Sequence, residues 1–229
     1  METLERLKLD AMKELAYGAS HEINNPLANI SARAQTLLRD EQHPERRRAL
    51  EAIHQQAMRA HEMISDLMLF ARPPALSLQA FDLGSMIQEV ADEMADVCHR
   101  QNVRLAVELA ELGEIVGDRQ QLGVALMAVV LNGVEAIGRD GAVDILLKQA
   151  GGSDVCIEVT DTGSGISEEV REHMFDPFYS GREAGRGLGF GLSKCWRIVT
   201  DHGGEVTVAN GEDVGAVVSL RIPVAGPGA

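Results

Sequence analysis

Apolar residues recur at helical spacing from near the start of the chain. Met12, Leu15, Ala19, Ile23, Leu27, Ile30, Ala34 and Leu37 step mostly by threes and fours, the period that gathers side chains on one side of an α-helix. A polar break follows at Arg39-Asp40-Glu41-Gln42-His43-Pro44. The pattern resumes with Leu50, Ile53, Ala57, Ala60, Ile64, Leu67 and Ala71 in alternating threes and fours, a heptad seam. Gly18 is the single glycine before position 73. Two long helices joined by a short turn make an antiparallel hairpin. One hairpin cannot cover two apolar seams alone, whereas two hairpins joined as a four-helix bundle can. The pattern therefore predicts a homodimer.

Arg72-Pro73-Pro74 closes the second helix, because the residue before a proline is pushed out of the α region. The periodicity then changes. Helical stretches over about 83–100, 118–137 and 190–202 alternate with β-rich runs at 103–109, 142–149, 155–160, 205–209 and 216–222, separated by glycine-rich turns. This predicts helices on one face of a mixed sheet. The expected fold class is α+β, with a helical hairpin at 1–72 followed by an α/β sandwich at 73–229. The tail Gly226-Pro227-Gly228-Ala229 is expected to fray.

Composition narrows the partners. The net charge of −14 disfavours nucleic acid or an anionic membrane, both of which need a basic face. A single phosphate-bearing ligand is not excluded, since local N–H groups and a cation suffice to hold it. Cys98, Cys156 and Cys195 are far apart and lack metal-ligand spacing. They read as small buried hydrophobes in a reducing compartment. The charged start, Met1-Glu2-Thr3-Leu4-Glu5, has no apolar signal region. The run from 122 to 131 falls short of the ~20 residues of a membrane span. The chain is therefore expected to be soluble and cytoplasmic, without a span of its own. Helical sequence beginning almost at residue 1 also fits the cytoplasmic part of a larger, membrane-bound sensor.

Four segments carry candidate chemistry. In Ala19-Ser20-His21-Glu22-Ile23-Asn24-Asn25-Pro26-Leu27 a reactive set interrupts an apolar helix. One ring nitrogen of His21 can be a nucleophile, and Glu22 can take the proton from the other. Asn25 lies one turn on, where its amide can orient water or a phosphoryl oxygen. Pro26 removes the N–H that would bond the Glu22 carbonyl, so the helix should bend there. A surface His–Glu pair with an incidental proline is the alternative reading. Zinc-protease chemistry is excluded, because the second histidine of H-E-x-x-H would fall on Asn25. His43, His54 and His61 do not combine an adjacent acid with a nearby proline as His21 does, and read as polar-face residues. The second segment is an apolar helix interrupted by Asn132, whose carbonyl oxygen can hold Mg²⁺, one way of satisfying a buried amide. The third is Asp161-Thr162-Gly163-Ser164-Gly165-Ile166, directly after a strand. Its carboxylate can accept from an exocyclic amine, although such turns often only end a strand. The fourth is Gly185-Arg186-Gly187-Leu188-Gly189-Phe190-Gly191-Leu192, where glycines ahead of a helix expose N–H groups to phosphate. No glycine is followed by lysine, so there is no P-loop.

In order and spacing these segments resemble the bacterial sensor histidine kinases over nearly the whole chain. His21-Glu22-Ile23-Asn24-Asn25-Pro26-Leu27 is similar to the family's histidine motif, and Asn132 to its magnesium asparagine. Asp161 with Gly163, Gly165 and Ile166 resembles the adenine loop. Phe175-Asp176-Pro177-Phe178-Tyr179 resembles the phenylalanine motif, and Gly187-Leu188-Gly189-Phe190-Gly191-Leu192 the second glycine motif. His202-Gly203-Gly204 and Gly215 fit the closing strands. The resemblance implies a dimerisation and phosphotransfer hairpin followed by a Bergerat-type ATPase domain. It implies ATP and Mg²⁺ as ligands, His21 as phosphoacceptor, and the aspartate of a response regulator receiver domain as the next acceptor. Glu22 and Asn25 would also serve the reverse, phosphatase, reaction. The segment 179–187 would be a short ATP lid, with Arg182 or Arg186 near the phosphates. There is one departure. Many members carry a second asparagine one turn before the magnesium ligand, where this chain has Ala128. Related chaperone and mismatch-repair ATPases keep a water-activating glutamate there, so simple ATP hydrolysis is disfavoured.

Overall fold

The structure, a computed structural model, describes residues 2–71, 73–176, 179, 189–211 and 214–228, without the side chains of 2–19, 21, 66, 67 and 69–71. The chain divides into two compact units, Met1–Pro74 and Ala75–Ala229.

The first unit is the hairpin. Helix α1 (Glu2–Asp40) runs unbroken through Pro26, and α2 (Pro44–Ala71) opens on a proline, whose missing N–H would have no helical partner at that position. The two helices are held in register by polar ties. His61 Nδ1 meets Asn24 Oδ1 at 3.0 Å, His54 Nδ1 meets Ser31 Oγ at 2.9 Å, and Arg47 donates to the Leu38 carbonyl at 3.5 Å. Each tie lies seven residues from the next along both helices, two helical turns apart on one facing stripe. Gln35 Nε2 also lies 3.3 Å from His54 Nε2. This corrects the polar-face reading of His54 and His61. Both lie on the side of α2 that faces α1, where Ser31 and Asn24 satisfy them.

The apolar seam of α1 also splits in two. Ala34 is buried against α2, while Ile23, Ile30 and Leu37 remain 46, 45 and 60% exposed. A shallow apolar groove is lined by Leu27, Ile30, Ala52, Ile53, Gln56 and Ala57.

The second unit is an α/β sandwich. Strands β2 (Val103–Leu109), β4 (Gly141–Ala150), β5 (Asp154–Asp161), β6 (Glu205–Asn210) and β7 (Ala216–Pro223) form a sheet in the order β2-β4-β5-β7-β6. β2 and β4 are parallel and the other pairs antiparallel. Two short strands, β1 (Gln79–Phe81) and β3 (Ile115–Gly117), pair separately, and a six-residue helix α5 (Glu168–His173) follows β5. The sequence pattern did not predict these three elements, which are too short to show a period.

One sheet face packs on α3 (Leu83–Arg100), α4 (Arg119–Ile137) and α6 (Gly191–Asp201). Val143, Ile145 and Leu147 of β4 and Val155, Ile157 and Val159 of β5 point into this core and are at most 2% exposed. Alternate residues on the outer face form exposed ion pairs, Arg104–Asp144, Lys148–Glu158 and Arg221–Asp154. These contribute little to stability but keep that face wet.

Helix α4 carries the core. Contrary to the expectation that no segment reaches membrane length, it is long and apolar enough to cross a bilayer by length and composition alone. Its Leu122, Ala125, Leu126, Val129 and Val130 are instead buried inside the unit. Asp118 caps it, accepting from the N–H of Gln121 at 3.0 Å and of Ser77 at 2.9 Å. Burial pushes the Asp118 carboxyl up, but these N–H groups outweigh it and hold the group below the usual carboxylate range. His202 ends α6 fully buried. Its Nε2 accepts the Asp118 N–H at 2.9 Å and its Nδ1 lies 2.7 Å from the Ile198 carbonyl. Those partners require the neutral tautomer with the proton on Nδ1, so His202 ties the end of α6 to the start of α4. All three cysteines are free and buried, and burial pushes the Cys195 thiol up to about 12.

Candidate nucleotide site and phosphoacceptor helix

Three segments far apart in sequence meet at the C-terminal half of α4. Asp161, the last residue of β5, is 7% exposed and lies over Gly133. A Cβ added at Gly133 would stand 3.2 Å from the Asp161 Cβ, so a larger residue there would push the helix and the carboxylate apart by a few tenths of an ångström. The start of α6 packs beside the same turn of helix. A Cβ added at Gly191 would stand 2.8 Å from Asn132 Nδ2 and 3.0 Å from its Oδ1. Asp161 and the glycine-rich start of α6 therefore lie against two adjacent residues of α4, Gly133 and Asn132.

Asn132 is half-buried, less enclosed than a lone amide in an apolar helix suggested. Ala128, one turn earlier, is buried at 8% exposure, and its methyl group adds no polar function there. Asp161 holds its loop in place. The N–H groups of Gly163 and Ala216 reach its Oδ1 at 2.8 and 3.4 Å. Burial raises the Asp161 pKa, and these two donors only partly offset it. The loop is further tied by Thr162, whose N–H donates to the Ala142 carbonyl at 3.1 Å and whose hydroxyl accepts the Ala142 N–H at 3.0 Å. At the far end, Asn210 holds Ile166 through both its N–H and its carbonyl.

The glycine segment is described from Gly189. Phe190 stands at the N-cap of α6 without a side-chain cap bond, and buried Ser193 bonds the Phe190 carbonyl at 3.2 Å. Gly187, Leu188, Pro177, Phe178, Arg182 and Arg186 lie outside the described residues. In the hairpin, Glu22 and Asn25 are exposed on α1, and the Asn25 carbonyl accepts from the Asn29 amide at 3.1 Å. The backbone of His21 lies in α1, and its side chain is outside the described residues. Among the described residues, no group of three or more His, Cys, Asp or Glu is arranged to hold a metal ion.

Asn210 and Gly133 were not singled out from sequence. Asn210-Gly211 signals only a turn, and Gly133 reads as one weak position in a helix until its neighbour Asp161 is seen.

Two family models match the chain, one after the other. Residues 11–75 match the His Kinase A (phospho-acceptor) domain. Residues 117–226 match the histidine kinase-, DNA gyrase B- and HSP90-like ATPase domain. The chain is 32% identical over 219 residues to the sensor histidine kinase ZraS of Salmonella typhi, covering 95% of this chain and 47% of that protein. It is similar to the structure of full-length ShkA in complex with AMPPNP, with a TM-score of 0.81 and 26% identity over 94% of this chain and 47% of that one. It is also similar to histidine kinase ThkA in complex with the response regulator protein TrrA, with a TM-score of 0.70 and 26% identity over 96% of this chain and 64% of that one. The chain spans about half the length of the curated relatives it matches. With both domains in order, it belongs to the sensor histidine kinases of two-component systems.

Proposed function

We propose that this chain is the catalytic core of its kinase, transferring the γ-phosphoryl group of ATP to His21 and from there to a response regulator aspartate. The observation that carries this reading is the convergence of Asn132, Asp161 and the start of α6 in a domain of the histidine-kinase ATPase family. Asp161 Oδ2, addressed by neither loop N–H, accepts from the adenine amino group. The loop from Gly163 to Ile166 lies along the base. Gly189, Gly191 and Leu192, with Gly187 and Leu188 before them, offer N–H groups to the phosphates at the positive end of α6.

The amide oxygen of Asn132 suits Mg²⁺, a hard ion that is commonly held by few protein oxygens alongside phosphate and water. Bound there, Mg²⁺ would neutralise charge on the phosphate oxygens. In the transfer, a nitrogen of His21 bonds to the γ-phosphorus as the bond from phosphorus to the bridging oxygen of ADP breaks. Glu22 takes the ring proton, and ADP leaves. No residue needs to activate water, which suits Ala128. Catalysis is mostly positioning. Asn25, on the His21 face of α1, orients water for the reverse hydrolysis of the regulator's phosphoaspartate.

The exposed Ile23, Ile30, Leu37 and Ile53 support a homodimer through the hairpins, the net charge of −14 disfavours nucleic acid as a partner, and the three free cysteines fit a reducing, cytoplasmic setting. Calorimetric titration tests the nucleotide site. Mg·ATP is expected to bind the purified chain, and Asn132→Ala to weaken it about tenfold or more, the scale of a lost charge-assisted contact. Equal affinity in the two proteins would remove Asn132 from the site.

A further inference from the structure

The nucleotide loop is held at both ends by one β-hairpin. Asn210 closes β6, 44 residues beyond Ile166 in sequence, and both halves of its amide are engaged there. The Ile166 N–H donates to Oδ1 at 2.7 Å, and Nδ2 donates to the Ile166 carbonyl at 3.0 Å. The amide thus pairs with one residue's backbone as a neighbouring strand would, fixing both the position and the tilt of that peptide. Six residues on, at the start of β7, the Ala216 N–H reaches Asp161 Oδ1 at 3.4 Å. Between them Gly215 sits at φ +79°, where a side chain would run into the Asp161 carbonyl. At Gly165 an added Cβ would stand 3.1 Å from Asn210 Oδ1 and 3.2 Å from the Gly215 carbonyl.

The loop would otherwise be free at its far end. Its first residues are tied to β4 through Thr162, but Gly165 and Ile166 are only half-buried, and glycine permits many conformations. We propose that Asn210 is a positioning residue for nucleotide binding, holding the stretch from Gly163 to Ile166 in its base-receiving form before ATP arrives. The proposal rests on the nucleotide-site reading above. Preorganisation of this kind adds to affinity by lowering the ordering cost of binding. Among the described residues the Asn210 side-chain amide bonds only the Ile166 backbone, so it acts on affinity and leaves the transfer step at His21 alone.

Three measurements on the full chain test this. Asn210→Ala is expected to raise the dissociation constant for Mg·ATP about tenfold, the scale of two lost hydrogen bonds, while the labelling rate at saturating ATP stays within about twofold. Asn210→Asp keeps the acceptor for the Ile166 N–H and loses the donor, and should recover part of the affinity. In the unsubstituted chain without nucleotide, the Ile166 amide should exchange its hydrogen much more slowly than a free surface amide, a reading that needs no variant to fold. Unchanged affinity in both folded variants overturns the proposal, as does a lowered saturating rate at unchanged affinity or an unprotected Ile166 amide. Should the unsubstituted chain bind no ATP, the nucleotide-site reading fails, while Ile166 exchange still reports whether the clamp exists.

Discussion

In the hairpin, Ala34 and Ala57 are the apolar side chains buried among the described residues, while Ile23, Ile30, Leu37, Ile53 and Met58 stay 40 to 60% exposed. In the α/β unit the proportions reverse. Both sheet and helices bury large side chains completely, from Leu83 and Ile87 of α3 to Leu220 and Ile222 of β7. Even its buried polar groups are paired, His202 with Asp118 and Ile198, and Asp161 with Gly163 and Ala216. The α/β unit closes its own core. The hairpin has its own register, set by the ties at Asn24, Ser31 and Leu38, but leaves Ile23, Ile30, Leu37 and Ile53 of its hydrophobic stripe on the outside. Burial is the main favourable term in folding, so the first unit needs a second surface and the other does not.

The sharpest way to break this contrast is to charge the hairpin stripe. Ile30→Glu would place a carboxylate in the centre of the four-helix bundle, where burying an unpaired charge costs several kcal/mol. Sedimentation should show the dimer lost at micromolar concentration, with the α/β unit still melting as before. A persistent dimer would mean that another surface joins the copies. Next in size is His202→Ala, which leaves a cavity and orphans the Asp118 N–H and the Ile198 carbonyl, at about 3 kcal/mol together. This should lower the melting temperature of the α/β unit by many degrees and leave dimerisation untouched.

The smallest effect sharpens the picture of the site itself. Asp161 has its pKa raised by burial, so its ionised form is disfavoured by folding. That penalty is fully present above the raised pKa and vanishes as pH falls through it. Asp161→Asn keeps an acceptor for Gly163 and Ala216 without the charge. At neutral pH the variant is expected to melt a few degrees higher than the unsubstituted chain, with the gap closing in acid, and to lose ATP binding. A lower melting temperature at neutral pH would show that the carboxylate is held by stronger partners than these two N–H groups. Residues that bind ligand at some expense of stability are common at functional sites.

The large elements were legible because each carries a long period. The heptads of α1 and α2, the apolar run of α4 and the alternation in β4, β5 and β7 follow directly from one-sided burial. The site was legible where chemistry stood out against its surroundings. Asn132 interrupts an apolar helix, and Asp161 and Gly163 follow a strand. What sequence hid was pairing across distance. His54 and His61 look like solvated residues until Ser31 and Asn24 are placed opposite them, and Asn210 looks like half of a turn until Ile166 lies beside it. The short β1, β3 and α5 were missed because three to six residues cannot display a period. The seam of α1 was read as one stripe because spacing of threes and fours does not separate the residues facing α2 from those facing outward.

The claim that joins the two units is that ATP phosphorylates His21. The most direct measurement incubates the purified chain with Mg²⁺ and γ-labelled ATP, then follows the protein-bound label in acid and in base. A phosphoramidate on His21 predicts label that is lost in acid, stable in base and absent from His21→Ala, although that variant still binds ATP. Label that survives acid, or that persists in His21→Ala, would contradict the account and place the phosphoryl group on another residue.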